Sequence, residues 1–372
     1  MNLIIGNPGK YVQGAGAIKE IGKYASEMEL GDKALVLGGR RALSTTQAAI
    51  EESFRTHDIT YLIETFGGES SREEIARLAA IGKKNKVNFI VGTGGGKALD
   101  TGKGVAMDLK VPVVAVPTIA ATDAACSATI GIYSEDGVWV EVIVRSKNPE
   151  LVLVSTDIIV KAPIRFLVAG MGDALSTKFE AEASNKSASK NFHGGTITQS
   201  ALAMARWCTD IIVEHGEAAK RAAEQGKTNQ IFEDVVEATV YASSVSWENC
   251  GLATAHGAQL GFTVLKETLS YLHGAVVGFF TLVQLVLENQ PKELVDGIFE
   301  FCHSVGLPVT LAEIGLKNAS KETLMRGIEA SCGKDAIVQR EPFTVTPQML
   351  YEALINTDRI GCKLVSSQTV GG

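Results

Sequence analysis

A glycine-rich turn separates a short apolar segment from a helix-like one, and it is the clearest sign of chemistry in the sequence. The segment 87–91 is uncharged and, apart from Asn88, consists of β-branched and aromatic residues, which is typical of a strand buried on both faces. The glycines that follow, ahead of a helix starting at Lys97, are Gly92, Gly94, Gly95 and Gly96. Because these residues lack Cβ atoms, their backbone N–H groups can approach a phosphate at a helix N-terminus.

The spacing of this turn matches neither common phosphate-binding signature. Lys97 stands where GxGxxG requires its third glycine, and Ala98 follows Lys97 where a P-loop requires Ser or Thr. The pattern alone therefore leaves two interpretations open, a phosphate-binding turn and a tight strand–helix turn without a ligand.

Further short motifs accompany the turn over most of the chain. In order they are Phe66-Gly67-Gly68-Glu69, Gly94-Gly95-Gly96-Lys97 with Asp100, the segment 117–127, Gly170-Met171-Gly172-Asp173-Ala174, Ala255-His256-Gly257 and Leu272-His273-Gly274. Together these motifs resemble the glycerol dehydrogenase branch of the iron-containing (family III) alcohol dehydrogenases.

The resemblance implies that the glycine turn holds the pyrophosphate of a nicotinamide dinucleotide. The cofactor-binding residues that it implies are Gly94, Gly95, Gly96, Lys97, Asp100, Thr118, Ser127, Thr129 and Tyr133. Family members commonly have Leu at the position of Thr129, so this contact departs from the family pattern.

The resemblance also implies a catalytic metal site. In the family, the ligands are the aspartate of Gly-x-Gly-Asp-Ala and the two histidines that precede glycine, here Asp173, His256 and His273. Spacing alone does not identify this site, since both histidines could be core residues and Asp173 could cap a helix starting at Ala174. Three N/O ligands with an open position fit catalytic Zn²⁺, although Fe²⁺ or Mn²⁺ also fits.

Asp123 is the second catalytic candidate beside His256. It lies in a loop after a predicted strand, at the carboxyl end of the sheet, where ligands bind in open α/β folds. The corresponding family residue contacts the polyol substrate. The alternative interpretation is an Asx turn that stabilises its own loop.

One position departs from the pattern of the NAD-dependent members. They carry an Asp after the first strand that binds the ribose hydroxyls, whereas this chain has Gly38-Gly39-Arg40-Arg41. Loss of the carboxylate removes both the hydrogen bonds and the repulsion that favour NAD, and Arg40 or Arg41 could accept a 2′-phosphate. We therefore expect NAD as the cofactor, with NADP as the alternative. The other interpretation of Arg40 and Arg41 is that they are solvated residues at the start of a helix without a role in cofactor choice.

Strand-like and helix-like segments alternate through the first part of the chain, which predicts a parallel sheet with helices on both faces. The strand-like segments are 33–37, 59–63, 87–91, 111–116 and 151–154. Two β-rich segments, 127–133 and 138–144, flank a turn and predict a hairpin.

From Ile164 onward the pattern is helical, with predicted helices over 174–183, 197–215, 232–247, 254–265 and 276–288. We therefore predict a nucleotide-binding α/β domain over residues 1–162 and a helical metal-binding domain over 163–372. The fold class is α/β plus α: a Rossmann-like parallel-sheet domain, an all-helical domain and an active site in the cleft. This is the dehydroquinate synthase-like architecture that the resemblance implies.

The composition of the chain limits which kinds of partner it can have. The net charge is −7 and no basic cluster occurs, so we expect no nucleic-acid role. The N-terminus lacks the features of a signal peptide and the apolar segment 275–287 is too short to span a bilayer, which predicts a cytoplasmic protein without a membrane role. The six cysteines are scattered without a CxxC pair, so mostly buried, reduced thiols are expected. Family members form homo-oligomers, and the resemblance implies the same here.

The sequence thus predicts a metal-dependent dehydrogenase that oxidises glycerol or a related vicinal diol to the hydroxyketone, with hydride transfer to NAD(P). One alternative on the same fold is an NADPH-dependent reductase of 2-oxo acids or other small carbonyl compounds, although Asp123 should repel a carboxylate. A dehydroquinate synthase-like lyase would want several cations around the ligands, where the chain offers Lys178 and Lys266 at most. The alternative from another class is a non-catalytic nucleotide-binding protein, which predicts decay of the ligand set.

Overall fold

The computed structural model describes residues 2–369, with side chains described as far as residue 367. The chain forms two compact units: one contains Gly6–Ile164 and Ala222–Val245, and the other contains Arg165–Arg221, the residues from Ser246 onward and the segment ending at Ile5. The division into two domains with a boundary after residue 162 stays a prediction.

The first unit is built on a six-stranded parallel sheet with the strand order β1-β8-β5-β4-β2-β3. Its strands are β1 (Lys10–Gly14), β2 (Lys33–Gly38), β3 (Thr60–Thr65), β4 (Phe89–Gly94), β5 (Val113–Pro117) and β8 (Leu151–Ser155). The helices are α1 (Ile21–Glu27), α2 (Arg40–Arg55), α3 (Arg72–Asn85), α4 (Gly96–Leu109) and α5 (Thr156–Ile159). The predicted parallel sheet is confirmed.

The central strands are apolar because both sheet faces are covered. Successive β2 residues alternate between two buried clusters, Ala34 and Val36 on one side and Leu35 and Leu37 on the other. A separate antiparallel pair, β6 (Thr129–Tyr133) and β7 (Trp139–Val144), confirms the predicted hairpin.

Strand β1 was not predicted from the sequence. It lies at the edge of the sheet beside β8, and all of its residues are only partly buried. Because an edge strand needs no continuous apolar segment, Lys10, Tyr11 and Gln13 give little periodic signal.

The second unit is helical. Its helices are α6 (Ile164–Lys186), α7 (Gln199–Glu224, whose last residues belong to the first unit), α9 (Ser243–Cys250, which begins in the first unit), α10 (Thr254–Phe262), α11 (His273–Leu287), α12 (Lys292–Val305), α13 (Lys321–Ser331) and α14 (Pro347–Thr369). Helix α8 (Gln230–Glu237) belongs to the first unit. The core of the helical unit packs Phe262, Phe279 and Phe280 between α10, α11 and α14.

The predicted buried helix over the apolar segment 275–287 is confirmed as part of α11. Within residues 2–369, no helix is long and apolar enough to cross a membrane. Among residues 2–369, which include all six cysteines, no disulfide is formed, and Cys362 is the exposed cysteine.

Candidate metal centre

Asp173 lies well inside α6, which begins at Ile164. The alternative that this carboxylate caps a helix starting at Ala174 is therefore wrong. The sequence suggested a helix start there because Gly170 and Gly172 flank Met171, and glycine is unfavourable inside helices.

The glycines beside the candidate ligands let two helix backbones approach each other closely. A Cβ on Gly172 would lie 2.3 Å from the Gly274 carbonyl oxygen, and a Cβ on Gly274 would lie 2.1 Å from the Ala169 carbonyl oxygen. Any other residue at these positions would push α6 and α11 apart. The close approach brings Asp173 of α6 next to His273, the first residue of α11.

Asp173, His256 and His273 converge in the helical unit. The Oδ1 atom of Asp173 is 3.3 Å from His256 Nε2 and 3.4 Å from His273 Nε2, and one ligand atom from each residue lies within 4.8 Å of the others. Donors about 2.1 Å from a tetrahedral ion lie about 3.4 Å apart, so the donor set fits a divalent metal. The Asp173 and His256 side chains are almost fully buried, whereas His273 is 28% exposed.

The electrostatics of the cluster favour a cation. Burial alone would raise the pKa of Asp173, but His273 and His256 outweigh it and hold the pKa below its usual range. Burial alone would lower the pKa of His256, yet Glu180 and Asp173 raise it. The negative charge that favours a proton on His256 would also favour a metal ion.

Glu180 contacts the candidate ligand His256 and was not predicted from the sequence. It lies two helical turns after Asp173 on α6, and its Oε2 atom is 2.6 Å from His256 Nδ1. A carboxylate only accepts, so Nδ1 donates to Glu180 and Nε2 faces Asp173 as a lone pair for a metal. The other oxygen, Oε1, accepts from the backbone N–H groups of Ala253 and His256 at 2.8 and 2.9 Å.

The start of α10, which carries His256, is capped by side chains from other elements. Its N-cap residue is Ala253, so the first turn depends on distant acceptors. Glu341 Oε1 accepts from Thr254 N and Oγ1 at 3.2 and 2.6 Å, and Gln284 Oε1 accepts from Ala255 N at 3.0 Å. These contacts fix the helix end independently of a bound ion.

The glycine turn is tighter than predicted. Strand β4 continues through Gly94, which has φ +145°, and α4 begins at Gly96. A Cβ would lie 2.9 Å from Ala98 Cβ at Gly94, 2.8 Å from Ile119 Cδ1 at Gly95 and 2.8 Å from Thr122 Oγ1 at Gly96. A side chain at any of these positions would clash with the chain itself, so the glycines allow the tight turn that places the N-terminus of α4 directly after β4. The N-terminus of a helix is suited to bind a phosphate group.

The remaining predicted cofactor residues lie around the same end of the sheet. Gly94 pairs with Pro117, and Thr118 N donates to the Gly94 carbonyl at 3.0 Å. Lys97 Nζ is 2.5 Å from Glu69 Oε1 and 5.6 Å from the centre of the Tyr133 ring.

Lys103 connects three of the predicted residues and was also missed. It is fully buried, one helical turn after Asp100, and its Nζ is 2.7 Å from Asp100 Oδ1. It donates to the Thr129 carbonyl at 2.5 Å and lies 3.4 Å from Ser127 Oγ. The cofactor roles of Asp100, Ser127 and Thr129 stay predictions, but their geometry depends on Lys103.

Asp123 lies in the loop after β5 and is only 8% exposed. Its Oδ2 atom accepts from Ser243 Oγ at 3.5 Å, and its carbonyl accepts from Ser244 Oγ. His193, another histidine of the helical unit, is partly exposed, and its Nε2 atom lies 2.6 Å from Glu248 Oε1.

Comparison with known proteins assigns a class to this chain. A family model described as iron-containing alcohol dehydrogenase matches residues 8–156. Glycerol dehydrogenase of Citrobacter freundii is 42% identical over 358 residues, covering 96% of this chain and 98% of that protein. The class is an oxidoreductase that acts on CH–OH donors.

Solved structures of related proteins share the fold of this chain. A probable glycerol dehydrogenase from Sinorhizobium meliloti 1021 superposes with a TM-score of 0.93 at 37% identity, covering 97% of this chain and 100% of that one. Glycerol dehydrogenase from Schizosaccharomyces pombe gives 0.94 at 32% identity, covering 99% and 93%. The chain belongs to the iron-containing alcohol dehydrogenase family, which confirms the resemblance seen in its motifs. Membership implies a metal ion and a nicotinamide cofactor, NAD(H).

Proposed function

We propose that the chain oxidises glycerol or a related vicinal diol to the corresponding hydroxyketone, dihydroxyacetone in the case of glycerol, and transfers the hydride to NAD. The observation that carries the proposal is the convergence of Asp173, His256 and His273 in a chain whose relatives are glycerol dehydrogenases.

Each of these residues has a role that follows from its position. Asp173, His256 and His273 would hold the metal, and Glu180 orients His256 toward it. A divalent ion bound there would supply Lewis acidity, which lowers the pKa of a substrate alcohol toward neutral values. Burial of Asp173 and His256 keeps competing water away from the donors.

The α/β unit would bind the cofactor and orient the substrate. The backbone of Gly94, Gly95 and Gly96 would hold the pyrophosphate at the N-terminus of α4. The Asp123 carboxylate would accept a hydrogen bond from the hydroxyl that does not react, which fixes the polyol for hydride transfer.

We propose Zn²⁺ as the metal, because a buried N/O donor set with an open position fits catalytic zinc. Fe²⁺ and Mn²⁺ compete for the same donors. Metal analysis of protein prepared without added metal distinguishes them, and iron in place of zinc would overturn the choice.

NADP use is a second proposal, and it rests on the N-terminus of α2. Arg40 and Arg41 are exposed there, directly after Gly39 and at the end of a strand paired with β4. No Asp stands at this position, so no carboxylate would repel the 2′-phosphate of NADP. The ratio of kcat/KM for NADP and NAD is the test, and a large preference for NAD would contradict the proposal.

The alternative reductase of 2-oxo acids is not favoured by the comparisons, whose first relatives are glycerol dehydrogenases. A complete ligand set also argues against a non-catalytic protein. The cytoplasmic location and the homo-oligomer implied by the family stay proposals.

The function is tested by assaying NAD reduction with glycerol and identifying the product, in parallel with NADPH oxidation in the presence of 2-oxo acids. Dihydroxyacetone formed from glycerol is expected. Turnover of 2-oxo acids without oxidation of any diol would contradict the proposal.

A further inference from the structure

A π-helical turn interrupts the helical segment that contains α8 and α9. It spans Ala238–Ala242, and a π-helical turn holds one more residue than an α-helical turn. The extra residue rotates everything that follows by about 100° relative to a continuous α-helix. Such turns occur frequently at functional sites.

The segment before the turn is anchored to the α/β unit by polar contacts. Glu233 Oε1 accepts from Thr156 Oγ1 at 2.6 Å, and Glu233 Oε2 accepts from Gln13 Nε2 at 2.8 Å. Within the turn, the Tyr241 ring lies 4.8 Å from the ring of Tyr11. The rotation is therefore fixed with respect to the sheet.

The turn directs two consecutive, fully buried serines to Asp123. Ser243 Oγ donates to Asp123 Oδ2 at 3.5 Å. Ser244 Oγ donates to the Asp123 carbonyl and accepts from Cys126 N at 3.1 Å. One serine thus contacts the carboxylate, and the other contacts the backbone of the loop.

The backbone of this loop is held at further points that do not involve Ser243. Asn148 Nδ2 donates to the Cys126 carbonyl at 2.9 Å, and Lys103 Nζ donates to the Ala124 carbonyl at 2.9 Å. Removal of the Ser243 hydroxyl would therefore leave the backbone of the loop in place and remove one hydrogen bond from the Asp123 carboxylate.

We propose that Ser243 is a positioning residue that fixes the Asp123 carboxylate to recognise the non-reacting hydroxyl of a triol. This inference rests on the proposed function. A carboxylate has room for about four hydrogen bonds, so a bond from Ser243 sets its orientation without preventing a substrate hydroxyl from donating to it. Because Asp123 is buried, water competes weakly for the same oxygens.

The test compares Ser243→Ala with Ser246→Ala on two vicinal diols. Ser246 is an equally buried serine of α9, and its hydroxyl makes no hydrogen bond with any residue that the structure describes. Glycerol carries a third hydroxyl and 1,2-propanediol does not. Loss of one modest hydrogen bond predicts about a fivefold fall in kcat/KM for glycerol in Ser243→Ala. The value for 1,2-propanediol and the KM for NAD should not change, and Ser246→Ala should match the wild type.

A double-mutant cycle shows whether Ser243 acts through Asp123. In an Asp123→Asn background, Ser243→Ala should have no further effect on glycerol. Equal losses on both diols, additive losses in the cycle, or a Ser243→Ala variant indistinguishable from Ser246→Ala would each overturn the inference. If the wild type oxidises neither diol, the proposed function itself fails, which is a separate result.

Discussion

Replacement of Glu180 by glutamine should weaken metal binding without unfolding the helical unit. Glutamine keeps the size of the side chain, and its amide oxygen can still accept from the backbone N–H groups of Ala253 and His256. Its NH₂ group would then face His256 Nδ1 and donate to it. The imidazole would carry its proton on Nε2, the atom that must be a lone pair for a metal.

The magnitude follows from the lost contact. The bond between Glu180 Oε2 and His256 Nδ1 is 2.6 Å long and both side chains are buried, so it is charge-assisted and contributes about 1.5 to 3 kcal/mol. Partners of this kind typically change metal affinity about 10- to 100-fold. We expect Glu180→Gln to fall in that range, which is about 1.4 to 2.8 kcal/mol.

Competition with a chromogenic zinc chelator measures this affinity directly. The matched control is Glu182→Gln, because Glu182 lies on the same helix but contacts none of the ligands. Its Oε1 atom pairs with Arg206 Nε at 2.9 Å. The control should bind zinc as the wild type does. If Glu180→Gln binds zinc within twofold of the wild type, the argument about tautomer and orientation is refuted.

Two further predictions concern packing and pH. Gly172→Ala places a Cβ 2.3 Å from the Gly274 carbonyl oxygen, so the free energy of unfolding should fall by about 1 to 3 kcal/mol, Tm should drop and zinc affinity should fall. The control is Gly297→Ala, which should not lower Tm because its Cβ meets no described atom within 4 Å. Burial, followed by the charge of Glu288, raises the pKa of Glu341 to about 8 from 4.5, so the folded chain keeps a proton that the unfolded chain loses. The free energy of unfolding should therefore fall, by up to about 1.4 kcal/mol per pH unit, as pH rises from 4.5 to about 8. Thermal unfolding of Glu341→Gln across this range should show a weaker pH dependence than the wild type, and an unchanged dependence would contradict the assignment.

The sheet was predictable where burial is complete. Strands β2, β4, β5 and β8 are apolar along nearly their whole length, because helices cover both faces of the sheet. Strand β1 escaped prediction because the polar residues Lys10 and Gln13 leave it no continuous apolar segment. The other edge strand, β3, is also largely exposed but was predicted, because Tyr61, Leu62 and Ile63 follow one another in the sequence.

The start of α6 was misplaced for a tertiary reason. Glycine normally opposes a helix, but Gly172 is tolerated inside α6 because α11 passes within contact of its backbone. A rule based on local propensity cannot anticipate that contact.

The ligand set came from family motifs, not from spacing. His256 and His273 lie on different helices, so no sequence interval ties them to Asp173. Glu180 could have been suspected from its position two turns after Asp173, on the same face of α6. Ser243 could not, because its link to Asp123 depends on a π-helical turn that leaves no clear sequence signal.

The most direct test of the account is the initial rate of glycerol-dependent NAD reduction by chelator-treated protein before and after Zn²⁺ is added, with bound zinc quantified in the same samples. The wild type should regain activity in proportion to the zinc it binds, whereas Asp173→Asn and His256→Ala should regain neither zinc nor activity. Full activity in metal-free protein, or zinc-restored activity in Asp173→Asn, would contradict the assignment of Asp173, His256 and His273 as the metal site.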